Sequence, residues 1–240
     1  MYPAGGSPLH RIAVSATSPL DNIVWHALTG AQARFAVGCG GARRFAPGFS
    51  PILGFEERLA PDFSALQAFS ESGESFYCLH WTGPPPSGWQ LEEDGAVRQM
   101  LRAPTECQEP QAAGLRPLAN GDVGQAMALA RLTRPGPFGP RTIELGEYFG
   151  VFEGARLVAM AGERMAAGPY REISGVCTHP EARGRGFARR LVAHLLARQS
   201  ARGLTSFLHV MDDNPGAIHL YESLGFASRS VDPVRVVRRL

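Results

Sequence analysis

The chain contains no lysine. All 24 of its basic residues are arginine, in a sequence of 240. That excludes Schiff-base chemistry and a P-loop, both of which need the lysine amine. An all-arginine usage points to GC-rich coding, and so to a bacterium. The four cysteines (Cys39, Cys78, Cys107 and Cys177) are far apart. They form no CxxC pair, and no His/Cys group has zinc-site spacing, so neither a metal nor a disulfide framework is expected. Scattered thiols of this kind read as buried residues in a reducing compartment. No GxSxG elbow is present. No apolar run reaches the length of a membrane span. The first residues lack a charged segment followed by an apolar one, so no signal peptide is expected. These absences describe a cytoplasmic protein with no membrane partner.

What is present is distributed unevenly. Residues 1–112 carry 7 arginines against 11 acidic residues, whereas residues 113–240 carry 17 against 11. A basic second half suggests an anionic partner there. The arginines are not interleaved with aromatics and no nucleic-acid-binding motif occurs, so a phosphate-bearing small molecule fits better than nucleic acid.

Ala103–Pro117, rich in proline, glycine and glutamine, reads as a linker. After it the expected order is a short strand at "AGLRPL", a helix capped by Asn120 or Asp122 and running to about Leu132, and a hairpin turning at Glu153–Ala155. A strand at "REISGVCTH" and an amphipathic helix over Phe187–Arg202 follow. Then come a buried strand at "TSFLHVM", a helix capped by Asn214 with Pro215 at its first position, and a terminal strand pair from Phe226. The first half reads as a worn copy of the second. "GWQLEEDGAVRQMLR" (Gly88–Arg102) matches "GFASRSVDPVRVVRR" (Gly225–Arg239), and in both halves a helix ending in glycine (Gly73, Gly203) precedes a Ser-Phe strand.

The chemistry concentrates at Arg183-Gly184-Arg185-Gly186-Phe187-Ala188, between a strand and a helix. The first N–H groups of a helix have no internal partner, and the macrodipole is positive there. Glycines let a phosphate approach those groups without meeting a Cβ. A dinucleotide fold is a poor match, because position 189 is arginine and no acidic residue ends a strand about 20 residues on.

Taken with its surroundings, "ISGVCTHPEARGRGFARRLVAHL" followed by a strand and "DNPGAIHLYESLGF" resembles the GNAT superfamily of acetyl-CoA-dependent N-acyltransferases. The "RGRGFA" loop corresponds to the family's glycine loop. Asn214, Ala217, Tyr221, Gly225 and Phe226 meet its late N-x-x-A-x-x-x-Y-x-x-x-G-F pattern. The resemblance covers about residues 113–240 and looks closest to the branch sharing its C-terminal domain with glycine N-acyltransferases. It implies an α/β (α+β) GNAT fold, with a mixed central sheet flanked by helices. Residues 113–240 would be the catalytic domain and residues 1–112 a degenerate GNAT-like domain that has lost the anion site.

The resemblance also implies roles. Backbone groups of Arg183, Gly184, Arg185, Gly186, Phe187 and Ala188 would hold the CoA pyrophosphate. Val176, Cys177 and Thr178 would pair with pantetheine as an added strand. Asn214 would bond pantetheine while capping its helix, and Tyr221 would protonate the leaving thiolate. Glu172, a buried carboxylate with raised pKa, is the expected base, with Glu163 as the rival. Strict alternation would put Glu172, Ser174, Val176 and Thr178 on one face unless Gly175 marks a bulge. Glu172 is otherwise a surface carboxylate paired with Arg171 or Arg164. His209 either lines the acceptor pocket or packs as a strand histidine. His179 ends its strand, and Cys177 lacks the partners of an acyl carrier. "RPGPFGPR" (Arg134–Arg141) falls where the family carries a loop facing the acceptor. The expected acceptor is a small-molecule amine or amino acid, and the protein a monomer or homodimer. The competing reading is an acyl-CoA-binding module without turnover.

Overall fold

In a computed structural model, residues 18–105 and 113–240 are described. Among the described residues one α-helix precedes the first strands: α1 (Ile23–Thr29), then β1 (Ala36–Val37), β2 (Ala42–Phe45), β3 (Ile52–Phe55), β4 (Ser75–Leu79) and the long β5 (Trp89–Arg102). The second half follows as β6 (Arg116–Pro117), α2 (Val123–Thr133), β7 (Tyr148–Glu153), β8 (Arg156–Ala167), β9 (Tyr170–Thr178), α3 (Phe187–Ala201), β10 (Thr205–Met211), α4 (Pro215–Glu222) and β11 (Ala227–Arg239). No described helix is long and apolar enough to cross a membrane.

The strands form one mixed sheet in the order β1-β2-β3-β4-β11-β5-β10-β9-β8-β7-β6. Two pairs, β3–β4 and β9–β10, are parallel. The halves that the sequence separates at 112/113, within an undescribed stretch, are joined in space. β5 from the first half lies between β10 and β11, and β11 pairs back onto β4.

The register between β5 and β11 is symmetric. Exchanging the strands through the Gly88/Gly225 match carries the pair Ser230–Gln99 onto Val236–Glu93, and Ala227–Leu101 onto Arg238–Gln90; all four pairings are present. The residues skipped at the two register shifts, Arg229 and Glu92, also exchange. An internal repeat would produce this register.

Three expectations for secondary structure change. The terminal strand pair is a single 13-residue strand. Pro233 is accommodated as a partner of Ala96, and the chain bends through a bulge at Arg229 instead of a turn. The segment before β4 is a 3-10 helix over Phe63–Phe69, ending short of Gly73. Asp122 does not cap α2 with its side chain. It accepts from the Ala119 N–H and pairs with Arg116.

Helices cover both faces. The expected stripe of α3 (Phe187, Leu191, Val192, Leu195 and Leu196) is buried against Ile173, Leu208 and Val210, with α4 contributing Tyr221. Burying each such side chain stabilises by about 1.5–3 kcal/mol. On the opposite face α1 packs with Phe45, Leu101, Met165 and Phe207, and α2 packs with Met160 and Cys177.

Candidate active site

β9 and β10 begin together and then separate. They pair only at Thr205–Tyr170, Ser206–Arg171 and Phe207–Glu172. Beyond that point β8 holds β9 as far as Thr178, while β5 holds β10 as far as Met211. Each strand keeps its outer neighbour, so the gap opens between them. Among the described residues, the β9 edge from Ile173 to Thr178 has no strand partner on its β10 side. An unpaired edge of this kind accepts an extended arm as an added strand, and Val176, Cys177 and Thr178 lie along it.

Strict alternation along β9 fails. Gly175 has φ +63°. Between the pairs Met160–Cys177 and Gly162–Ser174, β9 advances one residue more than β8. Val176 therefore packs with Ile173 on the α3 face, while Cys177 turns to α2. The Cys177 thiol is pushed up to about 11 by burial. A thiol held protonated in this way is not a nucleophile at neutral pH.

The glycine loop lies beside the same gap. Gly184 and Gly186 have φ +76° and +75°, and a Cβ on either would meet no protein atom within 4 Å. The first intrahelical bond into Gly186 comes from the Arg190 N–H. The N–H groups of Phe187, Ala188 and Arg189 precede it and are left for an external acceptor. Arg185 pairs with Glu153 and lies over the Phe187 ring. Arg189 bonds Ser223, and Arg190 bonds the Ala113 carbonyl. The exposed Arg183 side chain makes no ion pair or hydrogen bond with the described residues, so its charge remains for an anion. The donors and the open space above them fit a pyrophosphate.

On α4, Asn214 Oδ1 accepts from the Ala217 N–H at 3.1 Å. Tyr221 is buried and packs edge-on against Phe226 at 6.0 Å between ring centroids. Burial raises its phenol to about 12, with a smaller contribution from Cys177, so it holds its proton across the physiological range.

Glu172 is buried as expected, but its pKa is lowered and not raised. It is 0% exposed. It accepts from Arg164 Nε at 2.8 Å and Nη2 at 2.7 Å, and from the Met165 N–H at 3.3 Å. Burial alone would raise its pKa, but Arg164 and His209 overcome that and hold it down at about 2. The Arg164 pairing was anticipated, though at the surface and not in the interior. Glu163 is turned to the α3 side, where Gln199 donates at 3.0 Å and Arg202 pairs with it. His179 ends β9 as expected, and its Nδ1 accepts from the Glu181 N–H.

His209 stands where β9 and β10 part, with its Nδ1 2.9 Å from Glu172 Oε1. An ionised carboxylate can only accept, so Nδ1 is the donor between them. Gln99 Nε2 lies 3.3 Å from His209 Nε2 and also donates to the Leu20 carbonyl. Arg229 donates to Gln99 Oε1 at 3.0 Å and pairs with Asp21, which fixes the amide orientation. The bulge that leaves Arg229 without a strand partner aims it at this amide. Gln32 bonds the Arg164 carbonyl at 2.6 Å and the Ala166 N–H at 3.1 Å, where the β8–β9 register is interrupted.

The first half thus holds His209 and Arg164 in place. Nothing in the local sequence around Gln99 or Gln32 marks either residue; the match of Gly88–Arg102 to Gly225–Arg239 singled out the two strands that pair as β5 and β11, but not their contacts. The loop expected to face the acceptor is fastened to the first half as well. Ser50 bonds the Pro137 carbonyl at 3.0 Å, the Arg141 N–H bonds the Gly48 carbonyl, and the Arg141 guanidinium lies over Phe49.

Comparison with known proteins agrees with this geometry. Residues 148–236 match the family model described as FR47-like protein. A mycothiol acetyltransferase of Thermobispora bispora is 37% identical over 97 residues, covering 40% of this chain and 33% of that protein. The N-alpha-acetyltransferase RimI of Mycobacterium tuberculosis is 39% identical over 82 residues, covering 33% and 51%. The chain spans about a third and about half the length of these two curated relatives. A crystal structure of a putative acetyltransferase of the GNAT family from Novosphingobium aromaticivorans is 34% identical. It is matched over 93% of this chain and 100% of its own, with a TM-score of 0.82. A likeness of that identity and extent, on a fold whose parted strands adjoin a glycine loop, places the chain in the GNAT family of acetyltransferases.

Proposed function

We propose that the protein transfers acetyl from acetyl-CoA to a primary amine by direct attack in a ternary complex. The observation that carries this reading is the unpaired β9 edge running toward the glycine loop, with His209 and Glu172 where the strands part. The N–H groups from Arg183 to Ala188, with the Arg183 side chain, receive the pyrophosphate. Val176, Cys177 and Thr178 pair with pantetheine, and Asn214 bonds it from its cap. A β9 N–H faces the carbonyl oxygen as charge develops there.

His209 takes over the part first given to Glu172. A carboxylate at about 2 with three donors already on it is a poor acceptor for an ammonium proton. Its suitable part is to orient His209 and stabilise the imidazolium. The ammonium displaces the Gln99 N–H and gives a proton to His209 Nε2. The amine nitrogen then bonds the acetyl carbon, the C–S bond breaks as Tyr221 protonates the departing sulfur, and the second proton of the amine nitrogen leaves to restore the Tyr221 phenol.

Supporting features include the retention of Tyr221 beside the gap, which cofactor binding alone does not require. The two curated relatives are named a mycothiol acetyltransferase and an N-alpha-acetyltransferase, and neither is named a glycine N-acyltransferase. The acidic first half favours a cationic amine. Calorimetry with acetyl-CoA beside a thiol-release assay over amines and amino acids tests the reading. We expect one acetyl-CoA per chain, with release on at least one amine. Binding with no release on any amine would support an acyl-CoA-sensing module instead.

A further inference from the structure

Tyr148, the first residue of β7, has a hydroxyl that the fold buries without a partner. The residue is 3% exposed, and its hydroxyl makes no hydrogen bond with the described residues. Its ring reaches across the sheet. Tyr148 pairs in register with Gly162 of β8, which in turn pairs with Ser174 of β9. A Cβ on Gly162 would lie 2.2 Å from Tyr148 Cγ, so only glycine allows the ring to cross β8. At the far end a Cβ on Gly175 would lie 3.2 Å from Tyr148 Cε1 and 3.5 Å from its hydroxyl. Phe138 closes the side of the ring at 5.8 Å between centroids, nearly edge-on.

The ring is thus held on two glycines and an aromatic edge. It delivers one hydroxyl to the β9 bulge, just past the point where β9 loses its pairing to β10. A buried hydroxyl without a hydrogen bond costs about 1–3 kcal/mol. A phenylalanine would fill the same volume without that cost. Burial pushes the Tyr148 phenol upward, so it carries its proton throughout the physiological range.

We propose that the Tyr148 hydroxyl is a substrate contact, donating to the carbonyl oxygen of the acyl group as that oxygen gains charge. This rests on the acyl-transfer reading above. The amine's proton is already assigned to His209, and an acyl group carried along the unpaired β9 edge passes the bulge. The hydroxyl keeps its proton throughout; it contributes a preorganised dipole beside the β9 N–H.

The test is Tyr148→Phe, which removes only the oxygen. We expect an unchanged or higher melting temperature and unchanged affinity for CoA. We also expect kcat lower by on the order of 10²-fold, at constant KM for acetyl-CoA. Isotope-edited infrared of acetyl-CoA labelled at the carbonyl reads the contact without turnover. The bound band lies below the free band in the wild type, and part of that shift is lost in the variant. An unshifted band in the wild type overturns the inference, as does an identical bound band in the two proteins, even if kcat falls. Failure of the wild type to bind acetyl-CoA overturns the acyl-transfer reading and this inference together. Binding and turnover with equal carbonyl bands overturn Tyr148 alone.

Discussion

Gly186 offers a way to separate backbone strain from ligand electrostatics. It sits at the N-cap of α3 with φ +75°, exposed and with open space where a Cβ would go. Asparagine and aspartate enter the left-handed region more readily than other L-residues. Gly186→Asn and Gly186→Asp therefore carry similar strain in both the free and the bound protein, and that strain cancels from the dissociation constant. Both add a side chain where the pyrophosphate is placed, so both weaken binding. They differ by one charge. At a separation of roughly 6 Å in water, one pair of unit charges interacts by about 0.7 kcal/mol. Two phosphate charges give about 1.4 kcal/mol, a further tenfold in affinity. Aspartate is also a good N-cap beside a positive helix end. Gly186→Asp should therefore melt no lower than Gly186→Asn and yet bind acetyl-CoA about tenfold more weakly. Calorimetry at low salt measures the ratio, and at about 1 M salt the ratio should shrink toward one, because the Debye length falls to about 3 Å. Equal affinities at low salt would refute the placement of the pyrophosphate.

Other perturbations probe the remaining site. Tyr221→Phe should lower kcat about 10²-fold or more, with the acetyl-CoA dissociation constant and melting temperature unchanged; wild-type turnover would remove the acid role. Gln99→Glu keeps an acceptor for Arg229 but faces a carboxylate to His209 Nε2. That carboxylate competes with the acceptor's ammonium for the nitrogen, so kcat should fall about 10²-fold with acetyl-CoA affinity unchanged; wild-type turnover would deny His209 the base role. Glu172 is held at about 2, below its ordinary 4.5. Its stabilising contribution is complete above about 4.5 and is lost as pH falls toward 2. Urea midpoints should drop across that window in the wild type. They should drop less steeply in Glu172→Gln, which is less stable at pH 7 because Arg164 keeps its buried charge without an anion; parallel curves would contradict the assignment.

Much of the second half could be read along the chain, because its signals are local. Gly184 and Gly186 before an apolar helical stripe, and Asn214-Pro215 before a short helix, specify helix starts whatever packs on them. Their backbone angles and caps are those the residues prefer. The match of Gly88–Arg102 to Gly225–Arg239 was legible for the same reason, as a spacing of glycine, aromatic and arginine found in both stretches. The sequence by itself therefore determined the order of elements from Arg116 to Glu222, the glycine loop and the family.

What the tertiary structure decided depends on pairs remote in sequence. Alternation on β9 assigned faces correctly only up to Gly175, since a bulge moves every later side chain to the other face. Burial of Glu172 was foreseen, but its sign of titration was not. That sign rests on Arg164 across β8 and His209 across β10, whose Coulomb attraction exceeds the desolvation that burial imposes. Gln99 meets His209 only because β5 leaves its own half and enters the sheet between β10 and β11. Hydrogen bonding between strands is indifferent to sequence distance, so neither that insertion nor the Gln99–His209 contact it makes is written in any local pattern.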